Sequence, residues 1–153
     1  MAQQDVNAAG VKTQMGQPVS NLKAMLASMS PKLNENRIAY ISSKDIAGVL
    51  AALPSEAIIG TFREEEAMTF IVELNAAEKY GLEILFRGAW ITLTVHSALT
   101  GVGLTAAFAT ALGNENISAN VVAAYYHDHI FVAVEDAESA MAALRKLQKE
   151  NAG

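Results

Sequence analysis

The chain has 153 residues, 52% of them hydrophobic, and carries a formal charge of −5 from 16 acidic and 11 basic side chains with no long run of either sign. That composition suits one packed unit or two small halves sharing a core, and it gives no electrostatic footprint for nucleic acid or an anionic membrane surface. Cysteine is absent, which excludes disulfides, thiolate metal sites and thiol nucleophiles.

The first eighteen residues are rich in Gln, Asn, Gly and Ala and lack both a basic start and an apolar core. They read as a disordered tail (1–18) rather than a signal or anchor, and no later apolar run reaches the roughly 18 residues that span a bilayer. A cytoplasmic protein is the expectation. Leu22, Met25, Leu26 and Met29 then recur at helical spacing, predicting a short lid or edge helix stopped by Pro31. Arg37 to Ser43 reads as a strand, and Ile46, Val49, Leu50 and Leu53 mark a helix ended by Pro54. Ala57 to Phe62 and Met68 to Leu74 are β-rich runs around the charged tip Arg63 to Glu66, which predicts a hairpin. Asn75 and Glu78 have capping-box spacing for a helix from Ala76 to Tyr80, halted at Gly81.

In the second half Ile91, Leu93 and Val95 alternate with Trp90, Thr92, Thr94 and His96, so one face of a strand is aliphatic and helix-covered. Thr100 is positioned to cap a helix running from Val102 to Leu112, with Leu104, Phe108, Ala111 and Leu112 in one stripe and Gly113 and Asn114 as its left-handed stop. Ile117 to Tyr126 and His129 to Val134 predict a second hairpin. The last helix has Ala137, Ala140, Met141, Leu144 and Leu147 on its apolar face, acids at its start and bases near its end. One order, strand, helix, hairpin, helix, thus occurs twice, with Leu82 to Ala89 left to close the first sheet or open the second. Each half alone buries too little, so an α+β protein is expected with halves 19–82 and 83–150 side by side, an antiparallel sheet and helices on one face.

The element order, with the segments Trp90 to Ser97, Val102 to Phe108 and Ile117 to His129, resembles ACT domains, and in particular small bacterial proteins made of two such ferredoxin-like halves. The likeness spans about Leu22 to Leu147; the first half, with its Thr61, Phe62, Arg63, Glu64 run, is the more degenerate copy. Aspartate kinases and arginine sensors carry related pairs, so the resemblance implies a regulatory module for an amino acid, homo-oligomeric and without a cofactor. ACT modules usually place an Asp and a Pro-Gly pair between first strand and first helix. Here that stretch is Ser97, Ala98, Leu99, Thr100, Gly101, Val102 and Gly103, so an ammonium group needs another acceptor, such as a backbone carbonyl, Asp128 or a residue across an interface.

Gly101 and Gly103 stand where strand gives way to helix, so bare amides there suit a carboxylate, although turn chemistry and close packing explain them equally. His96, Ser97, Thr100, Val102 and Leu104 belong to the same expected cleft. Asn120 and Ser118 share one strand face, and the expected strand edge facing the ligand is Asn120, Val121 and Val122; Asn120 bonding a neighbouring loop is the plainer alternative. His127 and His129 flank Asp128, a spacing open to a metal but short of a firm third ligand, and Asp also suits a hairpin turn. Tyr125 and Tyr126 serve as packing or as a ligand wall. No nucleotide-binding or nucleophile motif occurs, and Glu64, Glu65 and Glu66 read as a solvated turn. The expectation is therefore a binder, not an enzyme. Its rivals are an oligomerisation or interaction module with a vestigial site, and a small metal-dependent enzyme using His96, His127 and Asp128.

Overall fold

The computed structural model describes residues 21–95 and 101–153. The expected tail, together with His96, Ser97 and Thr100, lies outside the described residues.

Helix α1 (Leu22–Ser28) starts where the Asn21 side chain accepts from the Ala24 amide, and it ends at Met29, whose backbone turns extended. Pro31 is not its stop. It sits inside strand β1 (Ser30–Leu33), opposite Leu93. A proline without N–H is tolerated in such a short outer strand, and local spacing alone does not reveal a partner sixty residues away. Strand β2 (Ile38–Ser43) and helix α2 (Ile46–Ala52) follow as expected.

A 3-10 turn (Ser55–Ala57) leads into β3 (Ile58–Arg63), which pairs with β4 (Met68–Glu73). The Glu64 amide bonds the Ala67 carbonyl at 3.0 Å around the exposed tip. Helix α3 (Leu74–Lys79) begins two residues earlier than its sequence signals suggest. Its cap position is Glu73, with no side-chain cap bond, so Asn75 lies inside the helix and no capping box forms. Burial decides the start: Leu74 and Ala77 pack into the core beside Phe70 and Val72.

Strand β5 (Phe86–Thr94) runs nine residues and takes in the second half of the connecting segment Leu82 to Ala89. Helix α4 (Leu104–Asn114) has Gly103 at its cap position, and the left-handed residue after it is Asn116, with φ 59°, rather than Gly113 or Asn114. Strand β6 is shorter than expected (Asn120–Ala123) and pairs with β7 (Asp128–Ala133). A brief 3-10 turn then leads to α5 (Ala137–Ala152).

All strands of the described residues join one seven-stranded antiparallel sheet in the order β3-β4-β2-β5-β7-β6, with β1 also on β5. The pairing divides β5 in two. Its first residues, Phe86 to Gly88, pair with β2, and Ile91 to Thr94 pair with β1 on the same side. One strand therefore closes the first half and opens the second. Helix α1 and strand β1 complete the sheet and core of the second half: Met25, Leu26 and Met29 pack with Leu104, Phe108, Met141 and Leu144. The Gln148 amide of α5 donates to the Ala27 carbonyl at 2.8 Å. The expected lid is thus a core helix.

Alternation assigns the faces. Ala39, Ile41, Phe70 and Val72 in one half, and Ala89, Ile91, Leu93, Ile130 and Val132 in the other, meet the helices. Ile38, Ile71 and Phe131, with Tyr40, Phe86 and Trp90 against them, lie on the other face and are also shielded. Strong curling of the sheet accounts for that shielding, since a single concavity is lined by both β3 and β6, strands at opposite ends of the order.

Candidate functional site

The two halves treat their helix starts differently. At α2 the Asp45 side chain accepts from the Gly48 amide at 2.9 Å, and the Ser43 hydroxyl accepts from the Asp45 amide at 3.0 Å. A Cβ on Gly48 would stand 2.1 Å from the Asp45 carboxylate, so that helix end is filled by the chain itself. At α4 the cap residue is Gly103, with φ 100°, and among the described residues no side-chain cap bond closes the first turn. Its early amides carry the partial positive charge at the start of an eleven-residue helix, and no side chain of the described residues caps them.

A cleft of about 60 Å3 lies at this end of the molecule. Gly101, Leu104 and Thr105 form one wall, the β6–β7 turn from Ala123 to Asp128 forms the other, and Met25 of α1 contributes to the lining. The turn is tight because the Ala124 amide bonds the His127 carbonyl at 3.1 Å, which leaves Tyr125 and Tyr126 at the tip, edge to face at 4.9 Å and largely exposed. Asp128 is 8% exposed, and burial raises its carboxyl pKa, opposed by the nearby His127. Nδ1 of His127 is buried without a hydrogen-bond partner among the described residues. Orphaned buried nitrogens are uncommon, because each forfeits its solvation.

Of the expected site residues, Gly101, Leu104 and Asp128 are brought together here. Val102 is 83% exposed and lines neither concavity. Gly103 holds the positive-φ turn and abuts Leu22, whose Cδ2 lies 3.1 Å from where a Cβ would stand, so close packing governs this glycine. The strand edge divides: Val121 packs on the helix-side core, while Asn120 and Val122 belong to the opposite face. The Asn120 amide donates to the Phe131 carbonyl at 3.4 Å across its own hairpin. Period-two alternation puts Asn120 and Val122 on one face, and only the packing of α4 and α5 shows that this is the face away from the cleft. Met25, Thr105, Ala123, Ala124 and His127 also line the cleft, and no local pattern in the sequence marks them for it; the sequence pattern around His127 suggests only metal or enzyme roles.

His129 belongs to the concave face. The Trp90 indole donates to its Nδ1 at 3.0 Å, and the Thr92 hydroxyl lies 3.3 Å from the same nitrogen while accepting from the Asn34 amide at 3.0 Å. Burial lowers its pKa, and the charge of His127 acts in the same direction. The two histidines line different concavities, and among the described residues no group of three His, Cys, Asp or Glu side chains is placed to hold a metal.

Two ACT-domain family models match the chain, one over residues 17–88 and the other over 86–146. Among solved structures, a Vibrio cholerae protein of unknown function, described as a possible transport protein, is 44% identical with a TM-score of 0.72, covering 83% of this chain and 95% of its own. The ligand-free regulatory subunit of aspartate kinase from Thermus thermophilus shares the fold at 15% identity and TM-score 0.61, over 76% of this chain and 95% of its own. Clostridium acetobutylicum aspartate kinase does so at 12% identity and TM-score 0.55, with 80% of this chain matching 34% of that enzyme. No curated protein matches.

Proposed function

Because this chain belongs to the ACT-domain family and pairs two such domains, a regulatory ligand-binding architecture, we propose that it is a sensor that binds an amino acid and has no catalytic activity of its own. The observation that carries this reading is the cleft between the glycine-led start of α4 and the β6–β7 turn, where helix amides face the wall that holds a buried carboxylate. An amino acid zwitterion has the matching polarity. Its carboxylate meets the amides of Leu104 and Thr105 and the positive end of the helix dipole, and its ammonium meets Asp128, which takes over from the missing acidic residue of the preceding loop. His127 Nδ1, without a partner among the described residues, gains one. The small volume favours the head of an amino acid over a nucleotide or sugar phosphate.

His96, Ser97 and Thr100 keep the ligand-binding role argued from sequence, as the segment leading into Gly101. Binding clamps this helix start to the hairpin tip and shifts the population of a homo-oligomeric or partner-bound state by the difference in affinity between states. A cytoplasmic setting fits a sensor of metabolite supply. The test is a thermal-shift and calorimetric screen of the twenty amino acids. At least one should raise the melting temperature saturably, and Asp128→Asn should abolish that response while the unliganded protein still melts cooperatively. Failure of every amino acid removes the proposal.

A further inference from the structure

On the face of the sheet turned away from the helices, the curl brings β3 and β6 to opposite walls of a cavity of about 340 Å3. That volume lies within the roughly 300 to 1,000 Å3 of small-molecule sites. Its lining is largely apolar and includes Ile71, Trp90 and Phe131, and its polar groups are few. His129 uses Nδ1 as an acceptor for the Trp90 indole, so in the neutral ring the proton is on Nε2. Glu56 and Glu73 supply two carboxylates, and no Lys or Arg of the described residues joins them. Glu73 accepts from the Asn36 amide at 2.8 Å, and Glu56 from the Ser55 hydroxyl at 3.3 Å, so each is oriented without being neutralised.

The β3 register shifts between Ile58 and Gly60, a bulge of the kind found beside binding sites. Gly60 has no atom within 4 Å of where a Cβ would stand, so the wall at that point is open.

We propose that this concavity is a second ligand site, separate from the hairpin-tip cleft, for a small organic ammonium compound with an aromatic body. The aromatic body packs against Val122 and Trp90 on the apolar wall that Ile71 and Phe131 underlie, and the ammonium lies toward Glu56 and Glu73. The sign of the rim charge sets the selectivity, because an anion of the same shape meets two carboxylates and no Lys or Arg of the described residues.

Trp90 is the chain's single tryptophan and lines the cavity, so its emission reports occupancy directly. Phenethylamine should change that emission saturably, and 3-phenylpropionate, of similar shape and opposite charge, should not. The double variant Glu56→Gln, Glu73→Gln should weaken phenethylamine by about tenfold or more, equivalent to about 1.4 kcal/mol. Gly60→Leu should fill the wall and abolish the response with the melting transition retained, while Asp128→Asn leaves it unchanged. Equal response to both probes, no response to either, or a response that survives both variants overturns the proposal. So does light scattering that shows a dimer in which Trp90 is shielded from added quencher.

Discussion

Nδ1 of His129 lies within hydrogen-bond distance of two neighbouring side chains. The Trp90 indole points a hydrogen at it, and the Thr92 hydroxyl, already accepting from Asn34, is placed to donate to it as well. A proton on Nδ1 would turn an acceptor into a donor facing donors. Burial and the neighbouring His127 press in the same direction, so the folded ring binds its proton more weakly than the unfolded one. The sign follows from linkage. Where the unfolded chain binds more protons, stability rises with pH, so the contribution of His129 is complete above the ordinary histidine value near 6.5 and is lost as pH falls through the depressed folded value. Urea midpoints should therefore decline from pH 7.5 toward pH 5, and His129→Gln should flatten that decline. An unchanged slope in the variant would assign the acid sensitivity to other groups. Asp128 has the opposite sign: its raised carboxyl favours the folded state at acid pH, and that contribution disappears as pH climbs through its folded value.

At the scale of elements, α2 and α4 are equivalent helices with opposite endings. Asp45 closes the first with its own carboxylate, so replacing it with alanine should cost about 1 kcal/mol, measured from urea midpoints at constant m. Gly103 opens the second. A side chain there must adopt positive φ and push against Leu22, so Gly103→Ala should cost at least about 1–2 kcal/mol. Much of this level was legible beforehand. The apolar stripe Leu104, Phe108, Leu112 and the alternation Ile91, Leu93, Val95 are local patterns, and both sets of residues are buried where those patterns put them. The Asn75 and Glu78 signal misled because a capping box is worth less than burying Leu74 and Ala77, and core packing is not written in a four-residue window.

Across the whole molecule, β5 hydrogen-bonds to β2, β1 and β7, so the halves cannot separate without breaking a strand they share. Unfolding should be one cooperative transition, with Trp90 emission and far-ultraviolet circular dichroism superimposing in urea. Met25 has no exposed surface and sits in the core of the second half although it lies near the start of the chain. Met25→Ala should cost about 2–5 kcal/mol and shift both signals together. Separate midpoints for the two probes would mean that the halves fold independently.

The sequence by itself determined the helical and strand periods, the repeated order of elements, the α+β class and the glycine-bearing entry to α4, because each depends on neighbours a few residues apart. Only the tertiary structure decided that Pro31 lies in a strand, that Phe86 to Thr94 serve both halves, that Met25 is core, and that Asp128 faces one concavity while Val122 and His129 line another. Those outcomes depend on pairings more than forty residues apart in sequence, or on which side of a curled sheet the helices cover. Alternation fixes that two residues share a face; it takes the packed helices to say which face it is.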